Sequence, residues 1–264
     1  MPKLAANLSF LFTELEFPER FAAAAEAGFR GVEYLFPYVR TAADLRDWLN
    51  AAGLQQVLLN MPAGDWENGE RGLTCLPGRE GEFEDGIGRA IDYARLLECR
   101  NVHVVAGLAP ADPAERRTHE ETYRRNLAKA ADALKAEGMN ALIEPINTKR
   151  DVPGFFLSTS GQALAIMEEL GRDNIRLQFD AYHVQIMEGD VVTRFRESLD
   201  AIGHVQIANP PDRHEPDCGE LDYGYVLRAM DAAGYEGWVG CEYKPRAGTR
   251  AGLGWGRDWG LRAG

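Results

Sequence analysis

Residues 141–183 read ALIEPINTKRDVPGFFLSTSGQALAIMEELGRDNIRLQFDAYH. Ala141–Pro145 is a short apolar run that ends beside Glu144, Thr159–Leu170 carries apolar residues at helical spacing, and Ile175–Asp180 is a second strand-like run that stops on an acid. A strand, a helix and a strand in direct succession form a βαβ unit, whose two strands lie parallel. Both strands run out on ionisable residues, which is where an α/β barrel keeps its chemistry.

The same alternation continues in both directions. Further strands are predicted at Leu4–Ser9, Gly31–Phe36, Gln56–Asn60, Asn101–Ala106, His204–Ile207 and Trp238–Glu242, and helices at Pro18–Ala27, Ala42–Ala52, Glu80–Glu98, Ala114–Glu137, Val191–Leu199, Leu221–Ala233 and near the C-terminus. Gly28, Gly53, Gly138 and Gly234 each stand where a left-handed helix stop precedes the next strand. Eight βα units fit a closed (β/α)8 TIM barrel, with residues 1–264 as one domain.

Composition agrees with a globular domain. The 264 residues are 45% hydrophobic and 27% charged, and the net charge of −12 disfavours nucleic acid or an anionic membrane as a partner. A short apolar N-terminus and the lack of a run of roughly 20 apolar residues argue for a cytoplasmic protein. The four cysteines, Cys75, Cys99, Cys218 and Cys241, are too dispersed for a zinc ribbon or redox pair and read as reduced thiols.

Four consecutive strands end on oxygen-bearing side chains: Glu144, Asp180, Gln206 and Glu242. Strand alternation turns these four into the barrel mouth while Ile143, Phe179, Val205 and Cys241 face the helices. Carboxylates crowded in a partly dry site repel one another, and an all-oxygen donor set resolves this by holding Mg²⁺ or Mn²⁺ rather than Zn²⁺. Glu144 and Glu242 flank the mouth as a pair suited to removing a proton at one carbon and returning it at the next.

His183, three residues past Asp180, and Arg213, in the loop after the seventh strand, can reach the same mouth and neutralise a substrate carboxylate. Lys149 and Lys244 are weaker candidates for that role, since each also reads as a solvated charge. His103 points inward by parity, as a substrate ligand or as a hydrogen-bonded interior residue. Trp66 and Trp255 can line the mouth or serve as packing. No glycine-rich phosphate loop and no nucleophile elbow follow any strand, so nucleotide and acyl-enzyme chemistry are not indicated.

Eight segments, 7–12 (NLSFLF), 31–38 (GVEYLFPY), 60–66 (NMPAGDW), 102–107 (VHVVAG), 143–147 (IEPIN), 179–183 (FDAYH), 204–208 (HVQIA) and 213–216 (RHEP), resemble the hydroxypyruvate isomerase family, a branch of the xylose-isomerase-like barrels. The resemblance spans essentially the whole chain. It implies interconversion of hydroxypyruvate and 2-hydroxy-3-oxopropanoate, with Glu144 and Glu242 as the proton-transfer pair and Glu144, Asp180, Gln206 and Glu242 as metal ligands. It also allows a homo-oligomer. The neighbouring 2-oxo-tetronate isomerases share these motifs, whereas ketose 3-epimerases typically place His where this chain has Gln206. The run 208–212 (ANPPD) departs from the glycine-containing loop of the family. Two other readings are an endonuclease-IV-like hydrolase, against which five histidines and an acidic surface argue, and a non-catalytic ligand-binding barrel.

Overall fold

The computed structural model describes residues 2–263. Strands β1 (Lys3–Asn7), β2 (Gly31–Tyr34), β3 (Gln55–Asn60), β4 (Asn101–His103), β5 (Asn140–Ile143), β6 (Ile175–Asp180), β7 (Ile202–Ile207) and β8 (Trp238–Cys241) pair in sequence order, all parallel. β8 pairs back onto β1, so the sheet is a closed barrel. The helices are α1 (Phe17–Glu26), α2 (Ala42–Ala52), α3 (Glu80–Leu96), α4 (Pro113–Ala136), α5 (Ser160–Leu170), α6 (Ala181–Met187), α7 (Val191–Ser198) and α8 (Tyr223–Ala232). The predicted TIM barrel is therefore the observed fold.

Local chemistry sets the element ends. The side chains of Thr41, Asp112, Thr159 and Asp222 accept hydrogen bonds from the open first turns of α2, α4, α5 and α8. Gly28, Gly53, Gly138 and Gly234 all take positive φ, as their stop positions require.

Differences from expectation have local causes. β4 ends at His103 because the chain beyond it leaves the barrel and pairs with the loop after β3, where Cys75 N donates to Ala106 O. The expected C-terminal helix is a 3-10 turn, Arg250–Trp259, in a glycine-rich run of poor α-propensity. α6 is an additional helix that starts directly on Asp180, whose Oδ1 accepts from Tyr182 N at 2.8 Å.

Packing separates the two faces of each strand. Ile143, Phe179, Val205 and Cys241 are buried in the core between barrel and helices, and Phe179 meets Phe195 of α7 edge-on at 5.6 Å. Inside the barrel, Ala5, Val57, Leu58 and Leu142 pack with Trp238. Gly31 leaves room for that ring, since a Cβ there would stand 2.8 Å from it. The N-terminal end of the barrel is thus filled with apolar atoms, and polar side chains gather toward the other end. Among the described residues no helix is long and apolar enough to cross a membrane.

Leu142 is fully buried in that inner cluster. Leu142→Ala should lower unfolding stability by about 2–5 kcal/mol in urea titration; a loss below about 1 kcal/mol would mean that the barrel floor collapses onto the hole.

Candidate active site

A cavity of about 100 Å³ opens beyond the strand C-termini, lined by His103, Glu144, His183, Gln206, Arg213 and Glu242 from the barrel and its loops, and by Phe10, Trp66, Ile146 and Val152 as apolar wall. One water needs roughly 10–15 Å³ by this measure, so the space suits a ligand of a few heavy atoms. Such a volume excludes a nucleotide and fits a small sugar acid.

Strand register builds the acidic side. Asp180 and Gln206 are partners on β6 and β7, and Gln206 is level with Gly240 on β8. Glu144 and Glu242 follow β5 and β8 directly and are each 6% exposed. Burial first, and then the Glu242 and Asp180 carboxylates, push Glu144 well above the usual carboxylate range. Burial likewise pushes Glu242 up, partly opposed by Arg213. Asp180 Oδ2 is buried without any hydrogen-bond partner among the described residues.

Arg213 answers part of this negative charge. Its guanidinium lies between the rings of Phe10 and Tyr182, at 4.9 and 5.1 Å, with Nη2 2.6 Å from Glu242 Oε1 and Nη1 3.3 Å from Asp151 Oδ1. Burial works against its charge, but the Glu242, Asp180 and Asp151 carboxylates outweigh burial and hold its pKa above the ordinary value.

Two buried histidines face the carboxylates as neutral rings. Burial pushes His103 down to about 3 and His183 down to about 4. His103 Nδ1 is 3.6 Å from Glu144 Oε2, and neither ring nitrogen has a hydrogen-bond partner among the described residues. His183, on α6, places Nε2 3.6 Å from Asp180 Oδ2 and 3.8 Å from Glu144 Oε1.

Asn147 decides the His183 tautomer. Its Oδ1 accepts from the backbone N–H groups of Arg150 and Asp151, at 2.9 and 3.1 Å, which leaves the Nδ2 end for Asp151 and for His183 Nδ1 at 2.8 Å. A donor at Nδ1 puts the ring proton on Nε2. Glu144, Asp180 and His183 bring ligand atoms within 4.8 Å of one another, yet in this tautomer Nε2 offers a proton and no lone pair to a cation.

The structure brings together Glu144, Asp180, Gln206, Glu242, His103, His183 and Arg213. It does not bring Lys149 in: Nζ lies at the surface and donates to Ile186 O at 2.7 Å, an open carbonyl near the end of α6. Lys244 is exposed as well. Trp66 lines the cavity and packs at a tilt against Phe36, whereas Trp255 lines a separate groove and donates to Tyr243 OH.

Glu33, Asn147, Asp151, Gln178 and His204 complete the polar network and were not singled out from the sequence. Asn147 had a readable signal, an Asn just after a strand and before a polar turn. Glu33 had none, because it lies inside the buried strand GVEY rather than at its end.

The tautomer is measurable. In metal-free protein at pH 7, long-range ¹H–¹⁵N spectra should show His183 neutral and protonated at Nε2. The ring should stay neutral down to about pH 5, because its pKa is lowered on folding. A charged ring at pH 6 would refute the arrangement with Asn147.

Residues 21–259 match the xylose isomerase-like TIM barrel family. The chain is 55% identical over 255 residues to a 2-oxo-tetronate isomerase of Cupriavidus necator, covering 97% of each protein. It is 46% identical to the hydroxypyruvate isomerase of Escherichia coli, covering 97% of this chain and 98% of that one. A crystal structure from Brucella melitensis described as an AP endonuclease, family 2, superposes with a TM-score of 0.95 at 46% identity, over 98% of this chain and 99% of that one. The similarity to hydroxypyruvate isomerases read from the eight segments is therefore borne out, and the chain belongs to the xylose isomerase-like TIM barrel family.

Proposed function

We propose that this protein is a metal-assisted aldose–ketose isomerase of short 2-oxo sugar acids, acting on hydroxypyruvate and 2-hydroxy-3-oxopropanoate. The observation that carries this reading is the set of buried acids Glu144, Asp180 and Glu242, two of them lining a small cavity, with one Asp180 oxygen left without a hydrogen-bond partner. Three acids so placed are costly to ionise together unless a cation joins them. The residues therefore fit a hard divalent ion, and Glu144, Asp180, Gln206 through its amide oxygen, and Glu242 would hold it. Bound Mg²⁺ or Mn²⁺ supplies Lewis-acid polarisation of the substrate carbonyl and charge stabilisation for the enediolate.

The chain's own groups do the proton work. One of Glu144 and Glu242 takes a proton from C3 of hydroxypyruvate and the other returns one to C2, while a hydroxyl proton passes from O3 to O2, so the product is an isomer. Burial raises both acids above the usual carboxylate range in the metal-free protein, and a bound cation would favour their ionised, proton-accepting form. Neutral His183 presents Nε2–H, and neutral His103 an unpartnered nitrogen, to substrate oxygens. Arg213 offers the substrate carboxylate a planar, two-pronged partner. The apolar wall of Phe10, Trp66, Ile146 and Val152 keeps bulk water from the carbanionic intermediate.

A second reading keeps the mechanism and lengthens the substrate by one carbon. The 55% identity to a 2-oxo-tetronate isomerase supports it. Both readings give the protein a small-molecule partner.

Replacing the carboxyl group of one acid should test the pair. Glu242→Gln should keep the circular dichroism of the parent and lose about 10²–10⁴-fold or more in kcat; a fully active variant would remove Glu242 from the chemistry. The substrate is decided by NMR in D₂O with Mg²⁺, offering hydroxypyruvate and a 2-oxo-tetronate separately. Isomer formation with deuterium uptake should be seen, should vanish on chelation and should return with Mg²⁺ or Mn²⁺. The higher kcat/KM names the substrate, and no exchange into either would defeat the enediolate reading.

A further inference from the structure

At the floor of the cavity, Glu33 on β2 reaches into the barrel from the level of Asn7 on β1, and both line the space. It is 1% exposed, and its carboxylate is held by side chains of β1 and β7. Oε1 accepts from Asn7 Nδ2 at 3.0 Å and from Gln206 Nε2 at 2.7 Å, and Oε2 lies 2.6 Å from His204 Nε2. Gly240 on β8 makes the space, because a Cβ there would sit 2.4 Å from both Glu33 oxygens.

Gln206 links this carboxylate to the site above. Its Nε2 donates one proton toward Glu33 Oε1 and the other to Glu242 Oε2, and its Oε1 accepts from Gln178 Nε2 at 2.6 Å. A carboxylate only accepts hydrogen bonds. Turning the Gln206 amide over would therefore set its oxygen against Glu33 and Glu242 together, and its NH₂ against the donor of Gln178. With Glu33 in place, a single orientation satisfies all the neighbours.

We propose that Glu33 is a positioning residue that fixes the orientation of the Gln206 carboxamide and, through it, the Glu242 carboxylate. The proposal rests on the assignment of Gln206 and Glu242 to the metal and proton-transfer site. Glu33 lines the floor of the cavity, but its own oxygens are taken by Asn7, Gln206 and His204. Its effect is to keep a hydrogen-bond donor on Glu242 and to settle the direction in which the Gln206 oxygen points. His204, in turn, supplies a donor to Glu33 that another N–H can replace.

Glu33→Gln is nearly isosteric and can donate as well as accept, so it removes one of the two carboxylates that hold the Gln206 NH₂ and lowers the cost of turning the amide. His204→Gln keeps an N–H donor toward Glu33. Gly240→Ala keeps the charge of Glu33 but displaces its carboxylate, and it serves if Glu33→Gln fails to fold. In metal-free, ¹⁵N-glutamine-labelled protein, the Gln206 NH₂ resonances are assigned by their loss in Gln206→Glu. They should move upfield and exchange faster in Glu33→Gln and Gly240→Ala, and stay near the parent positions in His204→Gln. Mn²⁺ titration followed by electron paramagnetic resonance should show about 10–100-fold weaker binding in the first two variants and parent-like binding in the third. Unchanged Gln206 resonances in a folded Glu33→Gln would overturn the proposal. Equal losses in Glu33→Gln and His204→Gln would also overturn it, by reducing Glu33 to half of a structural pair. If the parent protein binds no Mn²⁺, the metal reading fails, while the amide resonances still decide the role of Glu33.

Discussion

Repulsion among buried carboxylates organises this molecule. Glu144, Asp180 and Glu242 come from three strands and are nearly removed from water. Each would be better solvated outside, and the barrel holds them inward because register and closure leave no alternative direction. What surrounds them is compensation. Arg213 is clamped between two aromatic rings and set against Glu242, Gln206 gives Glu242 a donor, and two neutral histidines approach without adding charge. Even with these partners Asp180 keeps an oxygen unsatisfied, which gives a divalent cation its place in the reading.

The apolar half of the barrel makes this arrangement affordable in stability. The inner cluster around Leu142 and Trp238 and the larger core between strands and helices bury most of the hydrophobic side chains. The polar end can therefore carry unfavourable contacts without unfolding the domain, as is common where catalytic groups are strained together. Polar order then runs in two levels: Glu144, His183, Arg213 and Glu242 toward the mouth, and at the floor of the same cavity Glu33, Gln178 and Asn7, with His204 bonded to Glu33.

Much of this was legible in the chain itself. Period-two alternation in strands flanked by glycine stops revealed the barrel and the inward parity of Glu144, Asp180, Gln206 and Glu242, since each ends an apolar run. His183 was anticipated near the mouth but not on a helix, because AYHVQIM is short and its cap is the very Asp that also closes β6. Of the two readings open for Lys149, site cation or solvated charge, the second holds, because its loop turns the ammonium to the carbonyl of Ile186. Glu33 and His204 escaped notice because a polar residue in the middle of a buried parallel strand leaves no periodic mark, and only the closed barrel shows that the two are neighbours.

Asp180 serves three elements at once. It is the last residue of β6, its Oδ1 begins α6, and its Oδ2 faces the site. Substitution tolerance at this position is correspondingly narrow. Asn would retain the helix start and discard the charge, Glu would retain the charge but carry it one methylene too far to cap the turn, and Ser would cap without reaching the cavity. The order of a strand end, a helix start and the candidate site is vested in one short side chain, so the segment from β6 through His183 must vary as a unit.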